Sequence, residues 1–291
     1  MWLMLWALAV PAGVNALLPL SWPAWQRMWA VTLVMYAGCK EAMWRTRTQR
    51  DTRFADRLAW WLAWPGMNVD TFLSPADEAR VRSPTAREWL FAMAKLAAGA
   101  VLVWGGTPWA AHWPPYWQAW VGMIGLAFLL HFGLFHALSC LWRSRGVAAP
   151  PIMDWPIAAQ SVGDYWGNRW NRAFRDLATK TILRPILRRY GALPATMAVF
   201  LFSGLIHDLV ISFPAGGGYG LPTIYFAIQG LAHAAEHSHS GRAAGLAAGW
   251  PGRLFAWGVV VLPSPLLFHP PFLERVVLPF LRALGATGPQ G

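Results

Sequence analysis

Long apolar runs recur along this chain, separated by short polar or basic connections. A helix needs about 20 consecutive apolar residues to cross a hydrocarbon core. By length and hydropathy such runs fall at residues 1–20, 22–39, 87–104, 116–141, 193–213, 221–237 and 254–268. The tail at 272–284 either returns into the membrane or lies on it. The pattern predicts an all-α fold: a polytopic integral membrane helical bundle of about seven to eight spans, forming a single domain over residues 1–291.

Two connections are too long to be turns. Residues 57–64, "RLAWWLAW", are short and aromatic with a basic start, which suits an interfacial or re-entrant helix. Residues 157–190 alternate Arg with Trp, Phe and Leu, as a helix lying along the cytoplasmic face would.

Composition supports the membrane reading. Hydrophobic residues make up 56% of the chain, charged residues 13%, and the mean hydropathy is +0.34. A soluble domain would carry about twice that charged fraction. Many of the 21 tryptophans lie near the ends of apolar runs, as at Trp22, Trp25 and Trp29, at Trp60, Trp61 and Trp64, and at Trp113, Trp117 and Trp120. Amphipathic indoles favour the headgroup level, so an aromatic belt is expected, with packing between helices as the alternative.

The formal charge of +11 would raise the question of nucleic acid in a soluble protein. Here the cations cluster in particular loops. "KEAMWRTRTQRDTRFADR" and residues 142–190 are rich in Arg, whereas "GGTPWAAHWPP" and "PAGGGYG" hold no Lys, Arg, Asp or Glu. The bias places the basic loops and the N-terminus in the cytoplasm, in a multi-pass protein of the bacterial inner membrane type. Membrane lipids, not nucleic acid, are the expected partners of the charge. The apolar N-terminus lacks a basic n-region and reads as a retained first span. Cys39 and Cys140 lie near the expected cytoplasmic ends of spans, so neither a disulfide nor a metal spacing is read from them.

Three stretches carry candidate chemistry. "FLFSGLIHDLVISF" places His207 and Asp208 inside an apolar run. Intramembrane ionisable groups are costly and point to function, against the reading of a neutral histidine bonded to a neighbouring helix. Ser203 is four residues earlier on the same face, and Gly204 would admit another backbone or a substrate chain. Asp208 is rotated about 100° from His207, so it should meet another helix or water instead of orienting the imidazole. "DYWGNRWNRAFRD" packs Trp166, Trp170, Asn168, Asn171, Arg169, Arg172 and Arg175 together. A helix there would put both asparagines on one side and pair the tryptophans, and alone it reads first as an anchored amphipathic helix with capping Asn and Asp. "HAAEHSH" sets His233 and His237 four apart, a metal-capable spacing that supports a rival class, a membrane di-iron oxidase or a metal or proton transporter. An oxidase needs several such boxes, and His131 and His136 face different ways, so Glu236, His237 and His239 are read as the cytoplasmic end of a span. Lys95 is expected to snorkel.

The order "DYWGNRWN", "ILRP", "FLFSGLIHDLV", "YFAIQGLAHAAE" and "LLFHPPFLERVVLP" resembles the wax-synthase branch of the membrane-bound O-acyltransferase family, over residues 154–291. The resemblance implies transfer of a fatty acyl group from acyl-CoA to a lipid hydroxyl, with a long-chain alcohol as first candidate. It implies His207 and Asn171 as catalytic residues. Trp166, Asn168, Arg169, Trp170, Arg172, Ser203 and Asp208 are the expected substrate-binding residues. Acyl-CoA is a co-substrate, and no cofactor or metal is expected. One departure stands out: the branch has glutamate after the histidine, where this chain has Asp208.

Overall fold

The computed structural model describes residues 2–48, 52–74 and 81–288. Every regular element among them is helical. Helix α1 is Trp2–Leu17, α2 Ala24–Arg45, α3 Phe54–Ala63 and α4 Val69–Leu73. Two long helical runs follow, α5 at Ala86–His112 and α6 at Pro115–Ser144. After short helical turns at Val162–Asp164 and Tyr165–Arg169 come α7, Arg172–Ala178, and α8, Arg184–Tyr190. Helix α9 is Ala192–Ala215, α10 Leu221–His237, α11 Gly249–Leu267 and α12 Pro270–Ala283.

Three of these, α5, α6 and α9, are long and apolar enough to cross a membrane, and α11 with α12, bent by 62° at their junction, would make a fourth. The chain is an integral membrane protein, and this count is what length and composition alone support. Helix α10 coincides with the expected sixth span but has only 17 residues.

Contacts divide the chain into two compact units. The first takes the chain up to Gly38, then Trp155–Trp170 and Leu177–Phe280; the second takes Cys39–Asp154, Asn171–Asp176 and the chain from Leu281 onward.

In the first unit α9 and α10 pack closely. A Cβ on Gly204 would stand 2.6 Å from the Thr223 Cα, so only glycine permits this crossing. The far end of α9 is closed by two arginines: Arg27 donates to the Pro214 carbonyl at 3.1 Å, and Arg275 to those of Ala215 and Gly216 at 3.3 and 3.2 Å. Cations suit a helix C-terminus, where carbonyls lack intrahelical donors. In α12, Leu273, Val276, Val277 and Leu278 are buried, so the tail packs into protein.

In the second unit α5 begins with a threonine N-cap. The Thr85 hydroxyl accepts from the Glu88 N–H at 3.2 Å. Helix α3 is short, as expected, with Phe54, Leu58 and Leu62 exposed. Its tryptophans depart from the belt expectation, since Trp60 and Trp64 are core residues. The cause is Lys40, fully buried, whose ammonium donates to the carbonyls of Trp60, Trp64 and Gly66 at 2.8, 2.6 and 2.8 Å and lies 3.7 Å from the centre of a Trp60 ring. Three carbonyls and an aromatic face replace the water this cation gives up.

Three other expectations are corrected. Lys95 does not snorkel: its ammonium meets His136 Nδ1 at 2.7 Å, because a polar partner is available inward. Cys39 and Cys140 are free thiols as expected, yet Cys140 lies with Glu88 and His136 in a metal-capable group. Arg143, bonded to Glu88 and 3.6 Å from the Cys140 sulfur, already supplies the positive charge there. Finally, residues 157–190 are not one helix. The chain breaks at Trp170, which is extended, and at Asn171, with φ of 41°.

Candidate active site

His207 ends the regular part of α9, where a π turn, Asp208–Ser212, begins. Such bulges often mark functional positions. The His207 Nδ1 lies 2.6 Å from the Ser203 carbonyl oxygen, one turn back. A carbonyl only accepts, so Nδ1 carries the proton and Nε2 keeps the lone pair. The half-buried imidazole packs on Phe226, ring centres 4.5 Å apart. Ser203 therefore serves His207 through its backbone, from a fully regular helical position.

Asp208 turns away from the imidazole, as its rotation on the helix requires. Its Oδ1 accepts from the Ser212 hydroxyl at 3.0 Å and the Gly220 N–H at 2.7 Å, and its Oδ2 from the Thr223 N–H at 3.2 Å and from the Thr223 hydroxyl. It ties the π turn to the start of α10, where helical N–H groups lack partners. The chain of bonds continues to His269, a buried residue that sequence reasoning missed. His269 Nδ1 accepts from the Phe272 N–H at 3.3 Å, so its Nε2–H donates to Ser212 Oγ at 3.1 Å. Serine, histidine and aspartate thus meet in an order that cannot activate the serine: the imidazole is a donor to it, not a base.

The tryptophan-rich segment of the first unit is held against one face of α10. Phe226, Gln229, His233 and Glu236 recur at intervals of three and four, and so share that face. At one end the Glu236 carboxylate, fully buried, accepts from the N–H groups of Val162 and Gly163 at 2.7 and 2.8 Å. A Cβ at Gly163 would lie 2.7 Å from that carboxylate, so glycine gives the approach. Glu236 is thus an internal anchor, which corrects its reading as the mark of a span's end. His237 and His239 are exposed. In the middle the Trp166 N–H donates to Gln229 Oε1 at 3.1 Å, and Gln229 Nε2 donates to the Val259 carbonyl at 2.8 Å. The Trp166 ring also meets Phe226 at 5.5 Å and Phe200 at 6.1 Å, while Trp170 stacks on Tyr165 at 5.7 Å. Phe226 therefore touches both Trp166 and His207.

Asn168 and Arg169 are taken up locally. Both donate to Asp164, at 3.2 and 2.7 Å. Partial burial alone would raise the Asp164 carboxyl, but the bonds from Arg169, Asn168 and the Gln160 amide outweigh it and hold the group below the usual carboxylate range.

Asn171 belongs to the second unit and opens α7. Its Oδ1 accepts from the Phe174 N–H at 3.1 Å, an N-cap, and its own N–H reaches Met153 Sδ at 3.1 Å. Asparagine is among the few residues that accept a positive φ. The cap uses the amide oxygen and leaves the NH₂ as the donor end. The expected pairing of Asn168 and Asn171 on one helical side fails because the left-handed turn separates them. Nearby, Arg172, 3.5 Å from Asp154, and Arg175, bonded to Asp176, line an open cleft of about 170 Å³ together with Trp64, Met67 and Pro150.

His233, Glu236 and His237 are close enough for a metal ion. The donor set suits one poorly. Both Glu236 oxygens already accept backbone N–H groups, and the two imidazoles stack face to face at 4.4 Å, with His237 Nδ1 bonded to the His233 carbonyl.

Residues 149–228 match the Membrane bound O-acyl transferase family. The chain is 29% identical over 148 residues to a protein of Arabidopsis thaliana named "Probable long-chain-alcohol O-fatty-acyltransferase 9", covering 46% of this chain and 43% of that one. It is 26% identical over 94 residues to "Acyl-CoA--sterol O-acyltransferase 1" of the same plant, covering 30% of this chain and 27% of that one. The chain spans less than half the length of both curated relatives.

Proposed function

From a chain whose residues 149–228 carry the signature of the membrane-bound O-acyltransferases, wax synthase-like in its motifs and relatives, we propose an enzyme that moves a fatty acyl group from acyl-CoA to a lipid hydroxyl. A long-chain alcohol is the first acceptor to test and a sterol the second, following the printed names of the two relatives. The observation that carries the reading is the tautomer of His207: Nδ1 is committed to the Ser203 carbonyl, which leaves Nε2 to act as base.

In the proposed step Nε2 takes the proton of the acceptor hydroxyl as its oxygen attacks the thioester carbonyl carbon. The C–S bond breaks as the tetrahedral intermediate collapses. The imidazolium returns the proton to the CoA sulfur, so the ester and free CoA leave with no net change in the enzyme. The Asn171 NH₂ is proposed as a donor to the developing oxyanion. Arg172 and Arg175 are proposed to meet the phosphates of acyl-CoA. A cytoplasmic N-terminus, with the basic loops inside, belongs to the same proposal, since acyl-CoA arrives from that side.

The test is mass spectrometry of lipids made by the purified protein from labelled acyl-CoA and a panel of alcohols and sterols. Labelled ester from the wild type, absent with His207→Ala, is the expected result. Unlabelled products throughout would refute the activity, and full turnover by a folded His207→Ala protein would refute the base.

A further inference from the structure

In the first unit, the stretch leading into α9 is one-sided in charge. Between Asp176 and Asp208 the sequence contains no acidic residue, while Arg184, Arg188 and Arg189 all fall within it. Asp208 is bonded to Ser212, Gly220 and Thr223, so that flanking acid is not aimed at this stretch. Arg184 and Arg188 are four residues apart and so share one side of α8. Arg184, Arg188 and Arg189 are exposed. So are the apolar residues interleaved with them, Leu187 at 44% and Tyr190 at 59%, and Leu193 at 58% in the first turn of α9. The opposite end of α9 behaves differently: its two arginines, Arg27 and Arg275, are spent on the helix's own last carbonyls.

We infer that the α8 face carrying Arg184, Arg188 and Arg189 is a docking surface for the headgroups of anionic phospholipids. Three features fix the occupant. No acid among the described residues pairs with Arg184, Arg188 or Arg189, which calls for a polyanionic surface. Exposed Leu187, Tyr190 and Leu193 lie among them, and a soluble polyphosphate gives such side chains nothing to bury in, whereas the acyl boundary under a headgroup layer does. The face also runs, through Gly191, directly into a helix long and apolar enough to cross the membrane. Arginine stems lie along the apolar boundary while their guanidinium groups reach phosphate. The surface thereby pins the height of α9, and with it His207, relative to the leaflet.

The experiment places the full chain in nanodiscs of phosphatidylcholine with increasing phosphatidylglycerol, and follows binding of a labelled phosphatidylglycerol and the thermal midpoint. The wild type should gain stability with phosphatidylglycerol and lose that gain in high salt. The variant R184Q/R188Q/R189Q should bind the labelled lipid about tenfold more weakly and show no gain, while R184K/R188K/R189K keeps most of it. Equal lipid binding by the glutamine variant and the wild type would overturn the inference. Displacement of the lipid by equimolar inorganic pyrophosphate would overturn it in favour of a soluble anion. Should the glutamine variant fail to insert, the wild type alone decides, because lipid affinity that ignores salt contradicts an electrostatic dock.

Discussion

Two histidines, one in each unit, show how the same side chain is put to different uses. His136 sits in the second unit with both nitrogens occupied: Nδ1 meets the Lys95 ammonium and Nε2 the Glu88 carboxylate, which Arg143 also holds. Because a lysine ammonium only donates, Nδ1 accepts and Nε2–H donates, so no lone pair is left over. His207 in the first unit has one nitrogen tied to a carbonyl and the other without a partner among the described residues. A hydrogen-bonded Nδ1 is common to both, and of the two only His207 can accept a proton from a substrate. A histidine becomes a candidate base through what its neighbours leave undone.

The sharpest break of that comparison is a paired substitution. His207→Ala should lower acyl transfer by about 10²–10⁴-fold with little change in thermal midpoint. His136→Ala should do the reverse, keeping most turnover while losing stability, since Glu88 and Lys95 each lose a partner. Turnover measured with labelled acyl-CoA, beside thermal unfolding of each variant, decides it. If His136→Ala abolishes turnover in a stable protein, the distinction fails.

Asn171 extends the same logic to an amide. Asn171→Asp keeps the capping oxygen and loses the NH₂. It should retain the stability of the wild type and lose about 10²-fold in kcat if that donor meets the oxyanion. Asn171→Gly relieves the backbone but removes both ends of the amide, so it should lose activity and a few tenths of a kcal/mol of stability. A double variant with His207→Ala should be far less impaired than the product of the single losses. Additive losses would separate the two residues mechanistically.

Smaller effects are expected where every valence is filled. Glu236→Gln replaces one of two accepting oxygens by a donor facing a backbone N–H, and should cost about 1–3 kcal/mol, read as a lower thermal midpoint with a raised KM because the Trp166 segment loosens. The smallest effect concerns Asp164. Its folded pKa is depressed, so its contribution is present above the unfolded carboxylate value of about 3.9 and fades as pH falls through the lower folded value. The wild type should lose this increment in acid, and Asp164→Asn should lack it already at neutral pH, as paired pH–stability curves would reveal.

What the sequence discloses, and what it hides, follows from the range of the interactions. Helices such as α9 and α10 are legible because their apolar runs are local and continuous. His207 is legible because an ionisable group in such a run is costly. The rotation of Asp208 away from His207 is legible too, as helix geometry fixes it. The partners of Asp208 are not, since Gly220 and Thr223 come from the next helix and His269 from a segment 61 residues further on. Glu236 was misjudged for the same reason: an acid near a helix end looks like a water-facing terminus until the N–H groups of Val162 and Gly163 are seen to meet it. The Phe226, Gln229, His233, Glu236 periodicity was present in the sequence and was the available signal. The break at Asn171 was hidden because residues 157–190 read smoothly as an amphipathic helix, and only the left-handed turn reveals otherwise.

That turn has a consequence for how position 171 tolerates change. The backbone there, at φ of 41°, admits few side chains, and the N-cap bond to Phe174 admits fewer. If substrate contact is then required of the amide hydrogens, three independent filters act on one residue. A saturation library at this codon, sorted first for folded protein and then for ester production, would therefore thin in two stages. Asn, Asp and Gly should dominate the first pool, and Asn alone the second. The sizes of the two pools would measure conformational and chemical constraint separately, at a site where inspection of a single sequence merges them.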